Sequence, residues 1–190
     1  MEGPFPPLVL ASTSPRRADL LRAAGFSFRV VAPEATESIH RHYSPRELVL
    51  LNAMRKCRCV ARRFPGSLVV GADTVVAIDG MPIGKPPDLA AAHRMLSMLA
   101  GREHEVVSGV VLMHLQQSRR VSFIEISRVR MRPMAPEAIE RYHARIAPLD
   151  KAGAYAAQDE KDEAVAQIEG SRTNVIGLPM ERLVEVLCSL

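Results

Sequence analysis

The run SLVVGADTVVAI, residues 67–78, is the most strand-like stretch of the chain, and a carboxylate stands in the middle of it. An Asp among valines is expensive to bury without a partner. Any fold that accepts this strand must therefore answer for Asp73. Either a lysine or a set of turn N–H groups satisfies it, or it serves as a general base or Mg²⁺ ligand on a rigid strand. Gly71 and Ala72 beside it are small, which leaves room for something to approach the backbone. Asp79-Gly80 then turns the chain back.

The elements around this strand can be read from their stop and start signals. LVLA (residues 8–11) reads as a buried strand. Ser14 is a good N-cap and Pro15 a good first helical residue, opening a helix that runs to about Ala24 with Gly25 as its stop. FSFRVVA (26–32) is a second strand, followed by the polar loop PEATESIHRHY. Ser44-Pro45-Arg46-Glu47 is a capping-box pattern. The helix it opens carries Leu48, Leu51, Met54 and Val60 on one face and Arg55, Lys56, Arg58, Arg62 and Arg63 on the other. Asp88 caps a helix ending at Gly101. HEVVSGVVLMHL and SRRVSFIEISRVRMRP read as a hairpin of two long strands, and Pro136 starts another helix. A strand near VAQI and a closing helix from Pro179 complete the chain. The mixed order of strands and helices predicts an α/β fold with a curved mixed β-sheet flanked by helices. With no repeat or linker, residues 1–190 are expected to form a single domain, residues 1–7 being a flexible N-terminal tail.

Composition removes several classes of function. Aromatic residues are 4% of the chain and Trp is absent, which argues against a base-stacking platform. The formal charge of +4 suits an anionic partner. Three cysteines make no disulfide framework, and the pair His40 and His42 has no evident third metal ligand. MEGPFPP at the start lacks the apolar core of a signal peptide, and no apolar run approaches the roughly 18 residues of a membrane span. A soluble cytoplasmic protein with no membrane partner is expected.

Four stretches gather chemistry. In STSPRR, the hydroxyls of Ser12, Thr13 and Ser14, free turn N–H groups and the forks of Arg16 and Arg17 make a phosphate-binding corner. Two arginines at a helix start oppose the helix dipole unless they are neutralised. Asp73 is the second. In GKPPD, Gly84 and the two prolines fix an extended backbone that projects Lys85 as a point charge for a phosphate. In LDKAGAYAAQ, Lys151 and small residues around Gly153 make a tight segment, and the Gln158 amide can read the edge of a nucleobase.

The joint order of these stretches resembles the Maf nucleoside triphosphate pyrophosphatases, through ASTSPRRADLL, VVGADTVVAIDGMPIGKP, AGREHEVVSGV, LDKAGAYAAQ and TNVIGLP, from Leu8 to Leu187. The resemblance implies two lobes around a central cleft, a homodimer, and hydrolysis of a nucleoside triphosphate to monophosphate and pyrophosphate. It implies triphosphate contacts for Arg16 and Arg17, with Ser12, Ser14 and Lys151 also on the substrate. Glu37 matches the acidic loop position, Lys56 the lysine of the following helix, Asp73 the catalytic base and Lys85 the lysine of the GKP turn. Arg16, Thr74 and Gln158 match positions tied to base preference, and the GADT form matches the dTTP/UTP-preferring branch. Asp73 and Glu37 are the expected ligands of a divalent cation, Mg²⁺ or else Mn²⁺ or Co²⁺. The chain departs from the family pattern at Ala156-Ala157-Gln158-Asp159, where Gly-Ile-Gln-Gly is usual, at Ala147 in place of Glu, and at Thr36 in place of Asp. House-cleaning of the nucleotide pool and a link to septum inhibition follow from the same resemblance.

The alternative is a nucleic-acid-binding or cell-division interaction protein without catalysis. Arg55 to Arg63 and the alternating Arg128, Arg130 and Arg132 would supply phosphate contacts. Alternation of that kind is also how any half-exposed strand looks, so no nucleic acid partner is expected.

Overall fold

The computed structural model describes residues 7–36, 38, 43–157 and 163–190. Its strands are β1 (Leu8–Ala11), β2 (Phe28–Val31), β3 (Leu68–Ile78), β4 (Met81–Ile83), β5 (Glu103–His114), β6 (Arg119–Met131) and β7 (Val165–Glu169). The helices are α1 (Pro15–Ala23), α2 (Pro45–Ala61), α3 (Leu89–Leu99), α4 (Pro136–His143), α5 (Arg172–Ile176) and α6 (Met180–Cys188). One mixed sheet runs β2-β1-β3-β5-β6-β7, with β4 beside the far end of β3. The β2-β1-β3 pairs are parallel and the remaining pairs antiparallel. The expected α/β class and mixed sheet are therefore present.

Local signals account for most boundaries. Asp79 (φ 52°) and Gly80 (φ 75°) both take the left-handed conformation that a two-residue hairpin turn needs, so β3 folds back directly into β4. At α2 the capping box is complete: the Glu47 N–H donates to Ser44 Oγ at 3.3 Å and the Ser44 N–H donates to Glu47 Oε2 at 2.9 Å. Asp88 caps α3 through the Ala91 N–H at 2.6 Å. Ser14 stands at the N-cap of α1 as expected, yet its hydroxyl makes no capping bond. Its backbone N–H instead donates to Ser12 Oγ at 3.1 Å. The five-residue α5 was not legible in SRTNVIGLP. It is fixed by Asn174, whose Nδ2 donates to Val106 O and to Ser127 Oγ, both at 3.0 Å.

β3 is the spine of the molecule, and its two faces do different work. Val69, Val75 and Ala77 point to α2, packing with Val49, Ala53, Cys57 and Val60. On the opposite face, Leu68, Val70 and Ala72 pack with α1 and α6, while Val76 and Ile78 pack with Leu96, Leu99, Ile139 and Tyr142. Thr74 falls between these two apolar clusters, which are the cores of the two lobes. On the α2 face the helix lies directly on two glycines. A Cβ at Gly71 would stand 2.6 Å from Ala53 O, and one at Gly109 would stand 2.7 Å from Val49 O. Gly109 is the strand partner of Asp73. The room left by small residues beside Asp73 is thus taken by helix backbone.

A clamp on the second lobe holds the AGAY segment. Gly153 (φ 75°) and Ala154 (φ 58°) both adopt left-handed geometry. His143 Nε2 lies 2.9 Å from Ala154 O, the Ala156 N–H donates to the Tyr142 hydroxyl at 2.9 Å, and His104 Nε2 lies 2.9 Å from the Tyr155 hydroxyl. Burial pushes the His104 imidazole down to about 4, and burial also lowers His143.

Two predictions follow from this packing. Gly71→Ala forces α2 backbone off the sheet and should cost about 1–3 kcal/mol in urea unfolding. Gly84→Ala, where a Cβ meets nothing within 4 Å, should leave stability unchanged. For His104, the folded state refuses a proton that the unfolded chain takes up near the ordinary imidazole value of 6.5. Its contribution is therefore complete above that pH and is lost as pH falls toward 4. The fold should be about 2 kcal/mol less stable at pH 5 than at pH 8 on this account. A His104→Phe variant should show that much less dependence over the same range.

Candidate functional site

The pairing of β3 leaves a gap in the sheet. β1 ends where Ala11 meets Gly71, and β4 begins only where Ile83 meets Val76. Between them, Ala72–Val75 has no strand neighbour on that edge among the described residues. The turn Ser12-Thr13-Ser14 leaves β1 at one end of the gap. Gly84 and Lys85 leave β4 at the other. Crevices of this kind, at the carboxyl ends of parallel strands, are where α/β sheets bind ligands.

Arg17 reaches into the gap. Its Nη1 donates to Ala72 O at 2.9 Å and to Ser12 Oγ at 3.3 Å, its Nη2 to Thr74 Oγ1 at 3.1 Å and its Nε to Gly177 O at 2.8 Å. Only 8% of the residue is exposed. One guanidinium thus replaces the missing strand neighbour at Ala72 and ties α1, β3 and the α5–α6 turn together. Thr74 Oγ1 also lies 2.8 Å from Ser108 Oγ and 3.2 Å from Gly177 O. Arg16 turns the other way. It meets Asp150 through Nη1 to Oδ2 at 3.1 Å and Nη2 to the backbone O at 3.2 Å, with 22% of its side chain exposed. The two arginines that read as one pair therefore divide, with Arg17 inward on protein oxygens and Arg16 at the surface.

The Asp73 side chain lies on the other face of β3, toward α2. Lys56 Nζ donates to Oδ1 at 2.7 Å and Asn52 Nδ2 to Oδ2 at 3.0 Å. Asp73 and Lys56 are each 7% exposed and Asn52 is 3% exposed. Asn52 and Lys56 are four residues apart, so they lie on one face of α2, and the seat on Gly71 and Gly109 brings that face within reach. The buried carboxylate is thereby satisfied, and Lys56 belongs to the site although it read as one of five cations on the polar face of α2.

Lys151 Nζ donates to Asp150 Oδ1 at 2.6 Å and to Ala147 O at 2.9 Å. Burial alone would raise the Asp150 carboxyl, but Lys151 and Arg16 on either side hold it below the usual range. The Gly153 N–H donates to Gly84 O at 3.4 Å, which joins this segment to the GKP turn. Lys85 itself is exposed and makes no hydrogen bond or ion pair with the described residues. Glu37 and Gln158 lie outside the described residues, as do His40, His42 and residues 1–6. Among the described residues no three His, Cys, Asp or Glu side chains form a metal cluster. No helix among them is long and apolar enough to cross a membrane.

Sequence reasoning missed Asn52, Asp150 and the carbonyl of Gly177. Asn52 carried a usable signal, a polar residue one turn before Lys56 on a helix already expected. Asp150 and Gly177 carried none, because their arginine partners lie 134 and 160 residues away. A cavity of about 460 Å³ lies on the solvent side of α2, lined by Ala35, Thr36, Arg55, Arg58, Cys59 and Arg62. Asn52 and Lys56 point instead to β3, so this cavity is separate from the Asp73 site. On β6, Arg128 pairs with Glu169 and Arg130 with Glu103, both at 3.7 Å, and just past its end Arg132 Nε donates to Val165 O at 3.3 Å. Two of the three arginines of this stripe thus face the protein's own carboxylates.

The profile of a family described as Maf-like protein matches residues 7–190. A dTTP/UTP pyrophosphatase of Symbiobacterium thermophilum is 44% identical over 180 residues, covering 95% of this chain and 92% of its own. Proteins of the same name from Carboxydothermus hydrogenoformans and Dictyoglomus thermophilum are 43% and 44% identical, each across 95% of this chain and covering 96% and 94% of their own. A solved HAM1 protein from Coxiella burnetii matches 98% of this chain and 100% of its own with a TM-score of 0.56. At 16% identity that likeness is one of fold. With a profile match over nearly its whole length and relatives above 40% identity, the chain belongs to the Maf family.

Proposed function

We propose that this protein hydrolyses dTTP, UTP or modified pyrimidine nucleoside triphosphates to the monophosphate and pyrophosphate, removing unwanted nucleotides from the pool. The observation that carries the reading is a buried, doubly anchored carboxylate, Asp73, beside the gap in β3. That gap is bordered by hydroxyls, an uncapped helix start and separate lysines. The relatives' shared name supplies the base class.

The chemistry follows from the parts. Water adds at the α-phosphorus, the bridging bond between the α and β phosphates breaks, and pyrophosphate leaves with its electron pair. Such a step needs the phosphate oxygens neutralised and the water oriented and deprotonated. Asp73 is the proposed proton acceptor. Each of its oxygens accepts one described bond, from Lys56 or Asn52, and a carboxylate oxygen retains capacity for a further contact. The two anchors also fix its orientation. Ser12, Ser14 and the first N–H groups of α1 cradle phosphate at the corner that Arg17 braces, and Arg16, Lys85 and Lys151 supply charge.

A divalent cation fits this donor set, since Mg²⁺ is commonly held by one or two carboxylates together with substrate phosphates. Asp73 and Glu37 would hold Mg²⁺, with Mn²⁺ or Co²⁺ in its place. When bound it supplies charge neutralisation on the phosphates and a more acidic water. Arg16, Thr74 and Gln158 are proposed to set base preference, Thr74 doing so by fixing Arg17. The chain is proposed to act as a single domain over residues 1–190, as a cytoplasmic homodimer.

Pyrophosphate release from a panel of canonical and modified nucleotides with Mg²⁺ or Mn²⁺ tests the reading. Selective turnover of dTTP or UTP is expected, falling by about 10²–10⁴ in Asp73→Asn as a general base is lost. Turnover of another base moves the specificity. Equal inertness of wild type and variant with every nucleotide and metal overturns the reaction. Lys85→Ala should raise KM about tenfold, as loss of one charged phosphate contact implies, with no change in melting temperature because the ammonium has no described protein partner.

A further inference from the structure

We infer that Asn52 is a positioning residue that ties the backbone next to Glu37 to the Asp73 carboxylate. The inference rests on the proposed reaction for its catalytic consequence, and on the geometry for the tie itself. Asn52 stands buried on α2, and its side-chain amide makes three bonds. Nδ2 donates to Asp73 Oδ2 at 3.0 Å and to Ser38 O at 3.1 Å, while Oδ1 accepts from the Ser38 N–H at 2.7 Å. An amide offers two donor hydrogens and a carbonyl acceptor, and this arrangement uses both ends of the group. Its orientation is dictated by its neighbours. A backbone N–H needs the oxygen and a carboxylate needs the nitrogen, so a reversed amide would set oxygen against oxygen and N–H against N–H.

The paired bonds to Ser38 imitate the exchange between two residues of neighbouring strands. They hold a loop whose described residues have no strand partner of their own. On the N-terminal side the loop is anchored at Glu34, whose carbonyl accepts from Cys59 Sγ at 3.4 Å and whose carboxylate meets Arg63 at 3.4 Å. Ser38 is 5% exposed, and its hydroxyl is buried with no hydrogen-bond partner among the described residues. The described polar contacts of Ser38 are therefore the two bonds to Asn52. Residue 37 is one peptide unit away, about 3.8 Å between Cα atoms. Through one side chain, the distance between the loop and Asp73 is set by the same helix that sets Lys56. No shorter, longer or charged residue reproduces this. Leu matches the size and loses all three bonds, Asp brings a second carboxylate against the first, and Gln is one methylene too long.

Two measurements on the full-length protein test the inference. The first is amide hydrogen exchange of Ser38 in wild type and Asn52→Leu, read against core amides of β3. Ser38 should exchange about tenfold faster or more in the variant, with the β3 amides unchanged. Equal protection of Ser38 in both overturns the tie. The second is a double-mutant cycle in kcat and KM with Glu37→Gln. Asn52→Leu alone should lower kcat about 10- to 100-fold with KM within threefold, and should lower it by a clearly smaller factor when Glu37 is already replaced, the remainder being its direct hold on Asp73. A full loss in both backgrounds overturns the positioning role, as does a wild-type kcat in the single variant. Asn52→Ser carries the same expectations should the leucine variant not fold. A wild type inert with every nucleotide would sink the proposed reaction while the exchange measurement still decides the tie.

Discussion

The close seat of α2 on the sheet is the constraint from which the site descends. Gly71 and Gly109 lie on neighbouring strands, and each is pressed by helix backbone at a distance that no Cβ tolerates. Ordinary helix–sheet packing, with side chains between the layers, would hold the helix further off. Here the layers meet directly, and side chains as short as Asn52 can touch a carboxylate on the strand below. Asp73 sits two residues beyond Gly71 on the same face of β3 and opposite Gly109 on β5. Its partners are therefore placed by the same contact that makes its burial tolerable. The ion pair with Lys56 does not by itself argue for stability, since a buried pair commonly does no better than well-packed apolar residues. Its retention in an otherwise apolar strand is better explained by chemistry done with the carboxylate.

On the other face of β3 the problem is a broken ladder. A strand edge left open at Ala72–Val75 exposes carbonyl groups that a buried position cannot leave unpaired. Arg17 solves this from outside the sheet, and the same guanidinium reaches Gly177, so the α5–α6 turn is registered against β3. Asn174 fixes that turn from its other side by gripping Val106 O and Ser127 Oγ. The polar seam of Arg17, Thr74, Ser108 and Gly177 O runs between the two apolar clusters. It keeps the lobes distinct while joining them.

How much of this was legible from the sequence depends on how local each cause was. The capping box at Ser44, the Asp79-Gly80 turn and the Asp88 cap act within a few residues, and all three appear as read. The Val-rich strand and its misplaced carboxylate were visible because burial of an ionised group is anomalous wherever it occurs. Arg17 was visible as an anomaly too, but its cause was not, because its described partners lie 5, 55, 57 and 160 residues away. Gly71 was seen as making room, and nothing in the sequence said that a helix backbone would fill it. β4 and α5 are three and five residues long, too short for periodicity to declare them. The pairing of Asp73 with Lys56 needed the helix register against the sheet, which no local pattern contains.

The cations of the site that pair with the protein's own groups fall into two kinds. Arg17 is buried among four protein oxygens and Lys56 against the Asp73 carboxylate, and removing or redirecting either leaves polar groups stranded in a dry interior. They form the frame. Arg16 and Lys151 instead share Asp150, whose side chain is 55% exposed. An ion pair at that exposure is worth at most about 1 kcal/mol. Asp150 keeps two neighbouring cations compatible with each other. The same acidic residue thus links two cations by exposed, weak pairs, whereas the pairs around Asp73 are buried.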